Sequence, residues 1–145
     1  MMTPKRLTRE LTARLDGPHA DEHTAAAADL CAEAVRFLNY ATGSHSPAGL
    51  VFPSTVYLIA ADLSSAAYRM VQLFGQLDGW LTRQDAAGML GTDDGSPAAE
   101  TVAAASVNLA SATTAARHLS AYLDALQNSI SGLNGHGPSR PDGGA

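Results

Sequence analysis

His19, Glu22 and His23 form the pattern in this 145-residue chain that most resembles a catalytic centre. The order H-x-x-E-H is that of the inverted zinc peptidases, in which two histidines one helical turn apart hold the metal and the glutamate activates its water. His19 follows Pro18 at the start of a helix, and no second motif supplies a third ligand, although Glu100 is available. We therefore predict solvated residues at a helix start, with no metal or other cofactor.

The other residues that could do chemistry are isolated from one another. Cys31 is the single cysteine and cannot form an internal disulfide, which is typical of a reducing compartment. Its position on the apolar side of a predicted helix indicates a buried small side chain. The Asp93-Asp94-Gly95 stretch lacks the alternating oxygen ligands of a calcium loop and predicts a turn. Glu33, Asp62 and Asp78 occur singly, so we predict no catalytic residues and no enzyme activity.

The elements that position these residues are predicted by two apolar stripes with spacings of three and four residues. The first stripe consists of Val56, Ala60, Leu63, Ala67, Met70, Phe74, Leu77 and Leu81. The second consists of Val102, Ala105, Leu109, Ala112, Ala116, Leu119, Leu123, Leu126 and Ile130. This spacing places side chains along one side of a helix, and it predicts amphipathic helices over about residues 54–87 and 98–133.

Two further helices are predicted nearer the N-terminus. Residues 21–42 should form a helix closed by Gly43, with a buried side made of Ala27, Leu30, Ala34, Phe37 and Ala41. Residues 4–15 should form a short amphipathic helix, and the Asp-Gly-Pro bend at 16–18 should end it. The predicted fold class is all-α, an antiparallel bundle of three long helices plus this N-terminal amphipathic helix. Residues 1–18 hold that helix and bend, 19–133 the bundle, and 134–145 a disordered tail.

The charge balance bears on the partners that the protein could bind. Nine Lys and Arg against 14 Asp and Glu give a net charge of −5, which argues against general affinity for nucleic acids. Lys5, Arg6, Arg9 and Arg14 are nevertheless concentrated around the leucines of residues 4–15. This segment could bind a membrane surface, an acidic partner or DNA phosphates, or it could fold onto its own bundle.

Three other parts of the sequence could contribute to a binding surface. Leu50, Val51 and Phe52 are more apolar than is usual for a solvent-exposed loop. They either cover the open end of the bundle or form an exposed docking patch. Residues 101–116 carry no charge, so this helix either lies between two neighbours or meets a second copy. Gly75 and Gly79 have G-x-x-x-G spacing, which either permits close helix approach or loosens the helix and makes room for a neighbouring ring.

No apolar stretch follows the first basic residues, and no uncharged run is long and apolar enough to span a bilayer. The sequence therefore predicts a cytoplasmic protein without a signal peptide or a transmembrane segment.

Several short stretches resemble a group of small helical proteins that are common in actinobacteria and have no assigned activity. The stretches are residues 34–39 (AVRFLN), 56–57 (VY), 73–77 (LFGQL), 80–81 (WL) and 126–128 (LQN). The resemblance covers about residues 25–133. It implies a cytoplasmic protein of unassigned role, and it carries over no functional residue.

These patterns favour a non-enzymatic helical interaction or adaptor protein that binds a protein partner or a second copy of itself. Two alternatives stay open. One is a DNA- or membrane-associated accessory protein in which Lys5, Arg6, Arg9 and Arg14 contact phosphates. The other is a small-ligand binder with a pocket between Phe37, Phe74 and Trp80.

Overall fold

The computed structural model describes residues 19–43 and 49–135, and within them every regular element is a helix. Helix α1 spans Asp21–Thr42, α2 spans Pro53–Ala86 and α3 spans Ala98–Ile130. The predicted all-α class is confirmed for this part of the chain. The helix predicted for residues 4–15, and most of the predicted tail, lie outside the described residues. The chain forms two compact units, Met1–Gly49 and Leu50–Ala145.

Helices α2 and α3 form an antiparallel hairpin, because residues of higher number on α2 contact residues of lower number on α3. The side-chain amide of Gln127 donates to the carbonyl oxygen of Tyr57 at 3.5 Å. Further along α2, Ser64 bonds to Ser120, and Asp78 accepts from Ser106. The antiparallel packing of two long helices is thereby shown for the unit that begins at Leu50.

The hairpin is held together by small side chains. Ala60 and Ala67 of α2 and Val102 and Ala116 of α3 are its buried hydrophobic residues, and all four belong to the predicted stripes. Alanines at the contact allow the helix axes to come to the close end of the usual range of 8–10 Å. Six polar residues on the other side of α2 are all exposed: Asp62, Ser65, Arg69, Gln72, Gln76 and Arg83.

A glycine turn ends α2. Gly88 adopts a φ of +67°, and its N–H donates to the carbonyl oxygen of Asp85 at 2.9 Å. The N–H of Met89 reaches the carbonyl oxygen of Gln84 at 3.0 Å, which completes a Schellman motif. This motif satisfies carbonyl groups that the end of the helix leaves without partners, and it turns the chain toward α3.

Helix α3 begins at Ala98, as the sequence predicts. Pro97 is the capping residue, and no side chain caps the helix. The hydroxyl of Ser96 lies 3.2 Å from that of Thr92, and its N–H donates to the carboxylate of Asp94 at 3.0 Å. Ser96 is therefore engaged within the turn.

Helix α1 has no buried residue, although the sequence predicts a buried side for it. Cys31 is exposed, so the prediction of a buried thiol is wrong. Phe37 and Tyr40 are also exposed. Within the described part of its unit α1 is the single helix, and one helix cannot shield its own apolar stripe from water.

Candidate interaction surface

One side of the α2–α3 hairpin is apolar along its length, and we call it the apolar face. Successive helical residues turn by about 100°, so the stripe members outside the helix–helix contact, and the apolar residues next to them in sequence, lie to one side of the contact line. In antiparallel helices these offsets fall on the same side of the pair. The face is made of Leu63, Met70, Leu73, Leu77 and Trp80 from α2, and of Ala105, Ala112, Leu119, Leu123 and Leu126 from α3.

A depression on this face shows directly that the two helices share it. Leu77, Trp80 and Leu81 of α2 line it together with Ala105, Asn108 and Leu109 of α3. It is open to solvent and has a volume of about 490 Å³. None of its lining residues is charged, and the amide of Asn108 is its one polar side chain.

Five large side chains of the apolar face are about half exposed. The exposed fraction is 47% for both Leu73 and Leu77, 51% for Trp80, 50% for Leu119 and 40% for Leu126. Single exposed hydrophobic residues are normal on protein surfaces, but a continuous apolar stretch marks a site of interaction. The two stripes are thus wider than the contact between α2 and α3 requires.

Two serine–aspartate pairs link the helices of the hairpin. Ser64 is 5% exposed, and its hydroxyl lies 2.5 Å from Oδ1 of Asp124 and 3.0 Å from the hydroxyl of Ser120. Ser106 donates to Oδ1 of Asp78 at 2.5 Å. The serine belongs to α2 in the first pair and to α3 in the second.

These pairs join α2 and α3, and neither contains the histidine base of the common catalytic serines. A catalytic serine needs a general base that can accept its proton, most often a histidine that a carboxylate orients. Ser64 and Ser106 instead donate directly to carboxylates. Sequence reasoning treated Asp78 as an isolated surface residue and missed both pairs, because the partners are 60 and 28 positions apart.

The other residues singled out by the sequence have the following positions. His19, Glu22 and His23 are all exposed around the start of α1. In the described ranges no group of three or more His, Cys, Asp and Glu side chains could hold a metal ion.

Leu50, Val51 and Phe52 directly precede α2, with exposed fractions of 39%, 63% and 62%. Lys5, Arg6, Arg9 and Arg14 lie outside the described residues.

The acidic stretch between α2 and α3 is a turn, as predicted. The N–H of Ser96 donates to Asp94, and this bond is the main cause that lowers the pKa of Asp94 to about 2. The hydroxyls of Ser96 and Thr92 contribute in the same direction. The carboxylate therefore acts as an acceptor within its own turn.

The G-x-x-x-G spacing does not bring a helix close at Gly75. A Cβ atom placed on Gly75 would have no neighbouring atom within 4 Å, and one on Gly79 would lie 3.1 Å from the guanidinium of Arg83 in the same helix. Helix α2 continues through both glycines to Ala86. The hypothesis of close helix approach is therefore wrong for Gly75 within this hairpin.

No family model, no curated protein and no solved structure matches the chain. The resemblance to small actinobacterial helical proteins stays a prediction. Across the described ranges, none of the helices combines the length and apolar character needed to cross a membrane.

Proposed function

We propose that the protein is a non-enzymatic helical interaction protein, and that the apolar face of the α2–α3 hairpin binds a helix of its partner. The observation that carries this proposal is the exposure of Leu73, Leu77, Trp80, Leu119 and Leu126 on one side of the hairpin. A helix laid against two others inserts its own apolar stripe between them, as in helix-in-groove recognition. Leaving these side chains in water costs free energy that such a partner recovers.

The binding surface is large enough for a specific complex. A helix of 34 residues is about 50 Å long, and two packed helices present a side about 18 Å across. The resulting area, on the order of 900 Å², exceeds the ~800 Å² per partner that standard interfaces bury. Trp80 is of the residue type that most often contributes strongly to binding.

Helix α1 is the competing occupant within the chain. The sequence predicts an antiparallel bundle of three long helices, and in such a bundle α1 supplies the third helix. Its stripe contains Leu30, Ala34 and Phe37, spaced as a packing helix requires. We therefore propose the three-helix bundle, with the additional N-terminal helix, as the arrangement within one chain. Photocrosslinking distinguishes packing of α1 on the apolar face from binding between chains.

A small apolar ligand is the second proposal, and the depression beside Trp80 favours it. Its volume of about 490 Å³ falls in the range of ligand sites, and Asn108 offers one orienting amide. Trp80 lines this depression as the sequence suggests, but Phe74 does not.

Binding of a membrane or of DNA through the basic residues Lys5, Arg6, Arg9 and Arg14 stays a prediction. The cytoplasmic location stays a prediction as well.

Site-specific photocrosslinking tests the main proposal in the cell that makes the protein. A photoreactive amino acid replaces Leu77 on the apolar face, and the matched control replaces Leu58. Leu58 is 61% exposed on the polar side of the same helix. We expect a covalent adduct of increased mass from position 77 and none from position 58. Equal labelling at both positions, or a product at 77 linked only within its own chain, would contradict the proposal.

A further inference from the structure

We infer that the partner of the apolar face is a second copy of the hairpin, so that two chains form a four-helix bundle around a two-fold axis. This inference rests on the proposed function and names its partner. Identical chains associate most often through such two-fold interfaces, in which the same surface contributes on both sides.

The area of the face supports a hairpin as the occupant. The face spans two helices of 34 and 33 residues, and a single added helix covers the groove between them without covering both flanks. A second hairpin has the same length and width and covers the whole side. Together the two faces bury about twice 900 Å², which lies in the range of stable complexes.

The distribution of side-chain size suits a two-fold arrangement. Near the turn, α2 presents the bulky Leu73, Leu77 and Trp80, whereas α3 presents Ala105 and Ala112. Near the open end the face has Leu119 and Leu126 on α3, with exposed fractions of 50% and 40%, and Leu63 on α2. A two-fold axis parallel to the helices places α2 of one copy over α3 of the other, so that the bulky residues of α2 near the turn meet alanines of the second copy.

Charge favours this side of the hairpin over the others. Each chain carries a net charge of −5, so two copies repel one another when they meet through acidic surfaces. The depression beside Trp80 has no charged lining residue, and residues 101–116 of α3 carry no charge. Two copies can therefore bury this face without burying an unpaired charge.

Sedimentation of the full-length chain, combined with the fluorescence of its single tryptophan, tests the inference. The monomer mass is 14.9 kDa, and we expect twice that mass at micromolar concentration. Trp80 is half exposed in the single hairpin, so its emission should shift to longer wavelength on dilution, over the range in which the mass falls. A monomer at high micromolar concentration overturns the inference, as does a dimer that dissociates with no change in Trp80 emission. A monomer with blue-shifted emission at every concentration indicates that α1 or another segment of the same chain covers the face.

Matched variants locate the interface. Leu77→Glu and Leu126→Glu each place a carboxylate on the apolar face and should weaken dimerisation by at least roughly tenfold. Leu58→Glu and Val107→Glu make the same change at residues that are 61% and 66% exposed on the other side of their helices, and they should leave dimerisation unchanged. Equal effects from both pairs overturn the inference. A monomer that still crosslinks to a different protein from position 77 leaves the proposed function standing, whereas a monomer without such crosslinks rejects both.

Discussion

Gly75 and Gly79 lie in the interior of α2, which continues through both, and they illustrate what single residues contribute to this protein. Glycine in a helix interior destabilises it relative to alanine, because the unfolded chain gains conformational freedom. Such glycines are retained where another backbone comes close. At Gly75 no atom lies near the position of a Cβ, so the hairpin itself supplies no steric reason for the glycine.

Replacing Gly75 with alanine should therefore raise the free energy of unfolding by about 1 kcal/mol. Urea denaturation followed by circular dichroism measures this change. Gly79→Ala is the matched comparison, and its gain should be smaller because the new Cβ meets the guanidinium of Arg83 at 3.1 Å. A loss of stability from Gly75→Ala would show that a helix does approach at this position in the folded protein.

The serine–aspartate pairs show the limit of sequence reasoning at the residue scale. Ser64 looks like one more small residue within an apolar stripe, and Asp78 looks like an ordinary surface carboxylate. Their roles follow from the register of α2 against α3, which brings Asp124 and Ser106 within 2.5 Å of them. No local pattern encodes a contact between residues 60 positions apart, so these pairs could be found only in the folded hairpin.

At the scale of elements, the turn after α2 depends on one backbone conformation. The φ of +67° at Gly88 is strained for any residue with a side chain, although a Cβ there would meet nothing within 4 Å. The Schellman hydrogen bonds from Gly88 and Met89 require this conformation. The effect of a substitution is therefore conformational, without a steric clash.

Gly88→Ala should lower the free energy of unfolding by about 1 kcal/mol. Gly91→Ala is its control, since Gly91 lies in the same connection with open space around it and without a positive φ. That variant should change stability by less than about 0.5 kcal/mol. Both values come from urea denaturation, and equal effects of the two substitutions would show that the left-handed conformation does not limit stability.

The elements themselves were largely predictable, because their signals are local. The apolar stripes predicted helices over about residues 54–87 and 98–133, and the structure has Pro53–Ala86 and Ala98–Ile130. The burial of α1 was not predictable in this way. Its stripe shows that one side prefers an apolar neighbour, but spacing alone does not show which neighbour is present, and Cys31 is exposed.

At the scale of the whole molecule, the apolar face links stability to concentration. If two copies cover it, folding and association are coupled, and unfolding becomes harder as protein concentration rises. The thermal midpoint should increase over a hundredfold range of concentration for the natural chain. It should be independent of concentration for Leu77→Glu, and Leu58→Glu should behave like the natural chain. Calorimetry measures this, and a constant midpoint for the natural chain would contradict coupled association.

The serine lies on α2 in one serine–aspartate pair and on α3 in the other, and this arrangement restricts how the two helices can move. If one helix slid past the other by a turn, about 5.4 Å, Asp124 would lie against Ala60 or Tyr68 and Asp78 against Val102 or Ala110. Both carboxylates would then lose their serine donors at once, so shear along the helix axes is opposed at two points. The hairpin should therefore transmit a displacement at one end to the other as a stiff rod.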